Sequence, residues 1–290
     1  MTKIIFTTGT QNMRLFFTAV IASLLMPMAS SAQTLERIKE TGTLNLGFRT
    51  DAAPLSFLED NSPQGYAPTV CFALAGKIGA QLGLTDLDVI FTPVSTEDRF
   101  EKIEQGDIDL LCGASTITLS RLDMVDFSIP TYVDGATVAL KAGGPETLEG
   151  LAGHKIGVRS GTTTFQALEN SLKSREISAE IIQFDDHPSG MAALDGDFIT
   201  AYFADQSILM NMIMGKENVS DYTVLQELLT VEKHGLALPK GDRDFRLSVD
   251  KGLSELFSDG SMQKIFESKI PGAQMGFGLK AMFLLSPTLP

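Results

Sequence analysis

Between Leu44 and Leu238, short apolar runs with strand character alternate with stretches of helical periodicity, and the alternation breaks once and starts again. In the first set, Leu44–Phe48, Val89–Val94 and Ile108–Cys112 read as strands. Val70–Leu84 has apolar residues at helical spacing (Val70, Leu74, Ile78, Leu82), with Thr69 placed to cap it. Arg99–Gln105 is a short helix with Gly106 as its stop. Pro54–Pro63 reads as a turn-rich loop carrying Phe57. The break is Ala142-Gly143-Gly144-Pro145. In the second set, Lys155–Val158, Glu180–Phe184 and Phe198–Phe203 are strands, and Phe165–Leu172, Ser189–Asp195 and Gln206–Met214 are helices. Gly235–Pro239 returns as a strand, and the tail holds helices Phe245–Leu256 and Met262–Phe266. Strands spaced by helices build mostly parallel α/β sheets. We therefore expect two α/β lobes joined by two crossings near 140 and 238: residues 33–140 with 239–290, and residues 141–238. A chain that leaves a lobe and returns makes a hinged pair with a cleft between.

The first 32 residues do not fit this pattern. Lys3 and Arg14 are the only charges before Glu36, Leu15–Met26 is apolar, and Ala29-Ser30-Ser31-Ala32 is small. A basic start, a short apolar run and a small-residue cleavage site describe a secretion signal peptide over 1–32. The run is too short to span a bilayer, which takes about 20 residues. The formal net charge is −13; without Lys3 and Arg14 it becomes −15. A balance this acidic argues against a nucleic-acid or anionic-membrane binder. Apolar residues at 43% and charged residues at 20% are globular proportions. Cys71 and Cys112 are the only cysteines. An exported chain permits a disulfide between them, with two buried thiols as the alternative. Their spacing matches no metal motif, and no metal or cofactor is expected.

Catalytic patterns are thin: three histidines (His154, His187, His234), no HExxH, no GxSxG, no phosphate-binding lysine loop. Three segments instead suit ligand binding. Cys112 to Arg121 follows a strand, is rich in small and hydroxyl residues (Ala114, Ser115, Thr116), and ends in an arginine that can grip a carboxylate bidentately. Ser160-Gly161-Thr162-Thr163 opens a helix, where free N–H groups favour an anion. Asp205 follows a strand, where α/β ligands bind. A solvated turn and ordinary helix caps are the plain alternatives. Together, an arginine and hydroxyls for a carboxylate and an aspartate for an ammonium describe an amino-acid site.

The chain resembles the periplasmic solute-binding proteins for polar amino acids that serve ABC importers. The resemblance runs from Leu35 to about Phe283. It is carried by Leu35–Gly42, Gly65-Tyr66, Arg99–Gly106, Asp126–Pro130 with Tyr132, Lys155–Thr163 and Asp259-Gly260-Ser261. It is most similar to the glutamate/aspartate-binding branch through Cys112–Thr116, Ser160–Thr164, Asp186-His187 and the tail Lys269 to Phe283. The resemblance implies a type II periplasmic-binding-protein fold, two lobes on two hinge strands, monomeric, closing on an amino acid and delivering it to permease subunits. It implies Arg121 on the α-carboxylate, helped by Thr116 and the amides near Ala114 and Thr163, and Asp205 on the ammonium. It places Arg49, Arg99, Thr96 and His187 at a side-chain carboxylate and Phe57 over the aliphatic part. Glutamine or asparagine binding, and a same-fold enzyme such as a cyclic-acid dehydratase, are the alternatives; for an enzyme, His187 and Glu97 would be the acid–base candidates.

Overall fold

The alternating runs fold into two five-stranded sheets of the same strand order. The computed structural model describes residues 33–287, so the signal peptide expected over 1–32 lies outside the described residues. In the first sheet the order is Asp88–Val94, Thr43–Arg49, Leu110–Cys112, Ala237–Leu238, Asp126–Phe127. In the second it is Glu180–Phe184, Lys155–Arg159, Ala201–Asp205, Ala136–Lys141, Tyr222–Val224. The first three strands of each are parallel, and the fourth, antiparallel, is the one that has just come across from the other sheet. Thus each sheet is a parallel βαβ core completed by a strand from the crossing chain.

The crossings are the short strands Tyr132–Asp134 and Glu232–His234, which pair with each other antiparallel. Both fall a few residues earlier than the sequence suggested. Ala136–Lys141 already belongs to the second sheet, so Ala142–Pro145 marks the turn after that strand and not the crossing.

Apolar packing explains the layers. Leu44, Leu46 and Leu110 pack with Val70, Leu74 and Ile78 of the helix Tyr66–Leu82 and with Phe245, Val249 and Leu253 of the helix Arg243–Ser258. In the second sheet, alternate residues of Ala201–Asp205 serve opposite faces. Tyr202 and Ala204 meet Met191, Leu194, Leu209 and Ile213, while Ala201 and Phe203 meet Leu168 and Leu172. A strand covered on both sides loses the polar alternation. Cys71 and Cys112 form a disulfide, tying the helix Tyr66–Leu82 to the strand Leu110–Cys112. In the chain-entropy model, closing such a loop is worth about 4 kcal/mol.

Several local expectations shift for identifiable reasons. The loop Pro54–Pro63 contains two antiparallel strands, Ser56–Glu59 and Ser62–Gln64. Asp60 and Asn61 supply the positive φ angles a tight hairpin needs (48° and 57°). The helix begins at Tyr66 because Pro68 is tolerated in a first turn. Thr69 therefore lies inside it and donates to Gly65 O at 2.7 Å rather than capping. Gly65, at φ 110°, lies so close to Pro54 O that a Cβ would sit 2.7 Å from it. The strand expected at Phe198–Phe203 runs Ala201–Asp205, which brings Asp205 to its end. A tail helix, Phe277–Leu285, was not read from the sequence, being apolar almost all round.

Candidate functional site

The parallel strands of both sheets end at one cavity between the lobes. Ligands of open α/β sheets bind beyond the carboxyl ends of strands. Arg49 ends the strand Thr43–Arg49 and Ala114 and Thr116 follow Leu110–Cys112. Thr162 and Thr163 follow Lys155–Arg159, His187 follows Glu180–Phe184, and Asp205 ends Ala201–Asp205. Arg99 opens the helix Arg99–Glu104, and Arg121 lies in the turn of helix Leu119–Leu122. All of these line the cavity, with Thr164 and Ile208, which were not singled out from the sequence. Phe57, Thr96, Ser115 and Ser160 do not line it. Phe57 sits in the small antiparallel sheet opposite Asp51, and Ser115 is buried with no hydrogen-bond partner for its hydroxyl. Thr96 and Ser160 meet where the lobes touch: Thr96 Oγ1 donates to Ser160 O at 3.1 Å.

Four guanidiniums converge here, and their partners differ. Arg49 Nε and Nη2 both donate to Asp51 Oδ1, Nε at 2.8 Å. Arg159 Nε donates to Asp51 Oδ2 at 3.1 Å and its Nη1 to Glu97 Oε1 at 2.8 Å. Arg99 is 1% exposed; its Nη2 reaches Gly161 O at 3.3 Å, and its Nε and Nη1 have no partner. Arg121 donates from Nη1 to Thr116 O at 2.8 Å. Among the described residues neither Arg99 nor Arg121 forms a carboxylate ion pair. Both lie over the Phe100 ring, at 4.8 and 5.5 Å from its centroid, which holds them in place through cation–π attraction.

Burial, with Arg49, Arg121 and Arg159 nearby, pushes the Arg99 pKa well below the arginine range. A guanidinium keeps its proton in proteins, so this strain amounts to an unmet demand for an anion. His187 is fully buried, hydrogen-bonds Tyr202 Oη at 3.0 Å, and is pushed down to about 3 by burial and then Arg49. It is neutral at physiological pH. The helix Thr163–Ser174 points its N-terminus at the cavity, capped by Thr162, which accepts from Phe165 N. Its first N–H groups favour an anion.

A buried acidic group lies on the other side. Burial raises the Asp205 pKa; His234 Nε2, 3.6 Å from Oδ2, opposes that, and Thr164 donates at 3.4 Å. Glu232, on a hinge strand, accepts from Thr116 and Thr163, the latter at 2.9 Å. Asp134, opposite Glu232 in the hinge ladder, is pushed up to about 7 by burial and Asp205. Asp51, Arg159, Glu232 and His234 were not read as site residues, and Glu97 was read only as an acid–base candidate for an enzyme. The only sequence signal for them is their position beside strand ends.

A model of the bacterial extracellular solute-binding proteins, family 3, matches residues 44–270. The chain belongs to that family. As a family 3 protein it is 27% identical over 281 residues to the L-glutamate/L-aspartate-binding protein of Pseudomonas aeruginosa, covering 95% of this chain and 93% of that one. An ancestral arginine-binding protein, solved bound to glutamine, matches with TM-score 0.70 at 26% identity, covering 78% of this chain and 97% of that one. An ancestral amino-acid-binding protein described as a precursor of cyclohexadienyl dehydratase matches with TM-score 0.71 at 26% identity, covering 82% and 99%. The type II two-lobed architecture expected from the sequence is the architecture of this family 3 protein. Among its described residues no helix is long and apolar enough to cross a membrane.

Proposed function

We propose that this chain is a periplasmic binding protein that captures glutamate or aspartate in the interlobe cavity and passes it to an ABC importer. The observation that carries this reading is a charge count. Arg99 and Arg121 lack carboxylate partners among the described residues, and buried Asp205 faces the same cavity. A dicarboxylic amino acid brings two anions and one cation to meet them. Arg121, Thr116 and the N-terminus of the helix Thr163–Ser174 take the α-carboxylate. Asp205 takes the ammonium, and Arg99 takes the side-chain carboxylate. With Arg99 and Asp205 buried, each charge has to be matched, which favours a ligand of that valence. The Pseudomonas aeruginosa relative, named for L-glutamate and L-aspartate, supports the same reading. Residues 1–32 serve as the export signal.

The dehydratase alternative needs a general acid or base near neutral pH. Glu97 is held at about 2: burial alone would raise it, but the Thr96 hydroxyl, Arg159 and Ser95 outweigh that. His187 is at about 3, and neither titrates near 7. Asp134, at about 7, does not line the cavity. Asp205, raised by burial, does line the cavity, but in this reading it is taken by the ligand ammonium, so binding without turnover is the favoured reading. Incubating the protein with isotope-labelled glutamate and releasing it by denaturation should return unchanged glutamate, about one per chain. Recovery of a deaminated or dehydrated product would overturn the reading.

A further inference from the structure

We propose that Asp51 fixes the charge accepted by the side-chain end of the cavity, restricting it to one negative charge. This rests on the acidic amino-acid reading above. Three guanidiniums lie at that end: Arg49 and Arg99 line it, and Arg159 is joined to Arg49 through Asp51. One Asp51 carboxylate binds two of them, with Oδ1 on Arg49 and Oδ2 on Arg159. Glu97 holds the far side of Arg159. His187 is neutral there. Asp186 brings a further negative charge, but it is only half-buried, does not line the cavity and has no hydrogen bond to these arginines; it caps the helix His187–Asp195, accepting from Ser189 N at 2.7 Å. The hydrogen-bonded chain Arg49–Asp51–Arg159–Glu97 is neutral in itself, two cations against two anions, so the unmatched positive charge beside it is Arg99, the guanidinium whose Nε and Nη1 are unpartnered.

Asp51 thus does two jobs that the sequence pattern does not suggest. It neutralises Arg49, which lines the cavity, so that Arg49 donates from a paired guanidinium and adds no net charge. It also joins the lobes, because Asp51 belongs to the small sheet beside the first lobe and Arg159 to the second sheet. Without Asp51, Arg49 and Arg159 would add a second positive charge. A ligand with a dianionic side chain would then fit better than glutamate.

The test compares aspartate and glutamate with O-phosphoserine, whose phosphate carries close to two negative charges at pH 7.5. Calorimetry on the full mature chain should show wild type preferring the carboxylates. Asp51→Asn should shift the ratio of dissociation constants toward phosphoserine by about tenfold. The double variant Asp51→Asn/Arg159→Gln removes one anion and one cation and should restore the wild-type ratio. A purely structural role for Asp51 would leave the double variant as impaired as the single one. If Asp51→Asn does not fold, Glu97→Gln also leaves two net charges at that end and should shift the ratio the same way. An unchanged ratio in Asp51→Asn, or in Glu97→Gln when that variant stands in, overturns the role of Asp51. Failure of wild type to bind either acidic amino acid overturns the function reading, and this proposal with it.

Discussion

Replacing Arg121 with Ala is expected to abolish measurable binding of glutamate and aspartate, weakening each by at least about a hundredfold. The argument follows from how this side chain is held. Its Nη1 is fixed on Thr116 O at 2.8 Å and its guanidinium lies over Phe100, so the fork is placed before ligand arrives. Truncating one member of a buried hydrogen-bonded charge pair costs 2–5 kcal/mol or more, because the other charge is left buried and unpaired. Here the abandoned charge is the ligand carboxylate, facing a helix N-terminus that cannot replace a bidentate partner. Arg121→Lys keeps a charge but loses the planar fork, and should recover only part of the affinity. Calorimetric titration checks both variants, and near-wild-type affinity in Arg121→Ala would remove Arg121 from the site.

Arg99→Gln is expected to be as damaging for glutamate and aspartate but mild for glutamine. Arg99 is the cation whose demand for an anion is least met within the protein. A dicarboxylate meets that demand; a neutral amide does not. In the variant, a ligand carboxylate would be desolvated without a counter-charge, at several kcal/mol. Glutamine, which brings no such charge, loses only a hydrogen bond, about 1 kcal/mol. Measuring both dissociation constants gives the comparison. Equal losses for glutamate and glutamine would move Arg99 out of the side-chain end of the cavity.

Much of the architecture was legible because strand and helix periods are local. The strand Glu180–Phe184 and the helix Gln206–Met214 were read with the bounds the structure gives them. The site loops were legible for the same reason: in an α/β sheet, the residues just after a strand face the ligand, so the loops holding Thr116 and Thr163, and Asp205, could be found from strand ends, whereas His187 came only from the family resemblance. What was not legible depends on pairs far apart in the chain. Arg159 fell just past the strand read as Lys155–Val158 and was given no role, because its partners Asp51 and Glu97 are 108 and 62 residues away. Arg49 was read as a bare ligand arginine because nothing in the sequence shows that Asp51, two residues on, folds back onto it. Phe100 was read as part of a helix motif, whereas it also carries two guanidiniums on its ring. The hinge acids Asp134 and Glu232 were missed because three-residue strands carry too little periodicity to be recognised.

The central claim is that the cavity is built for two carboxylates and one ammonium. The most direct measurement is the thermal stability of the mature chain against a panel of all amino acids and small dicarboxylates. A ligand at a hundred times its dissociation constant stabilises by about 2.7 kcal/mol, which for a chain of this size raises Tm by roughly 5–10 °C. The account predicts the largest shifts with glutamate and aspartate, smaller ones with glutamine and asparagine, and none with dicarboxylates that lack the ammonium. Stabilisation by neutral or basic amino acids alone, with glutamate and aspartate inert, would contradict it.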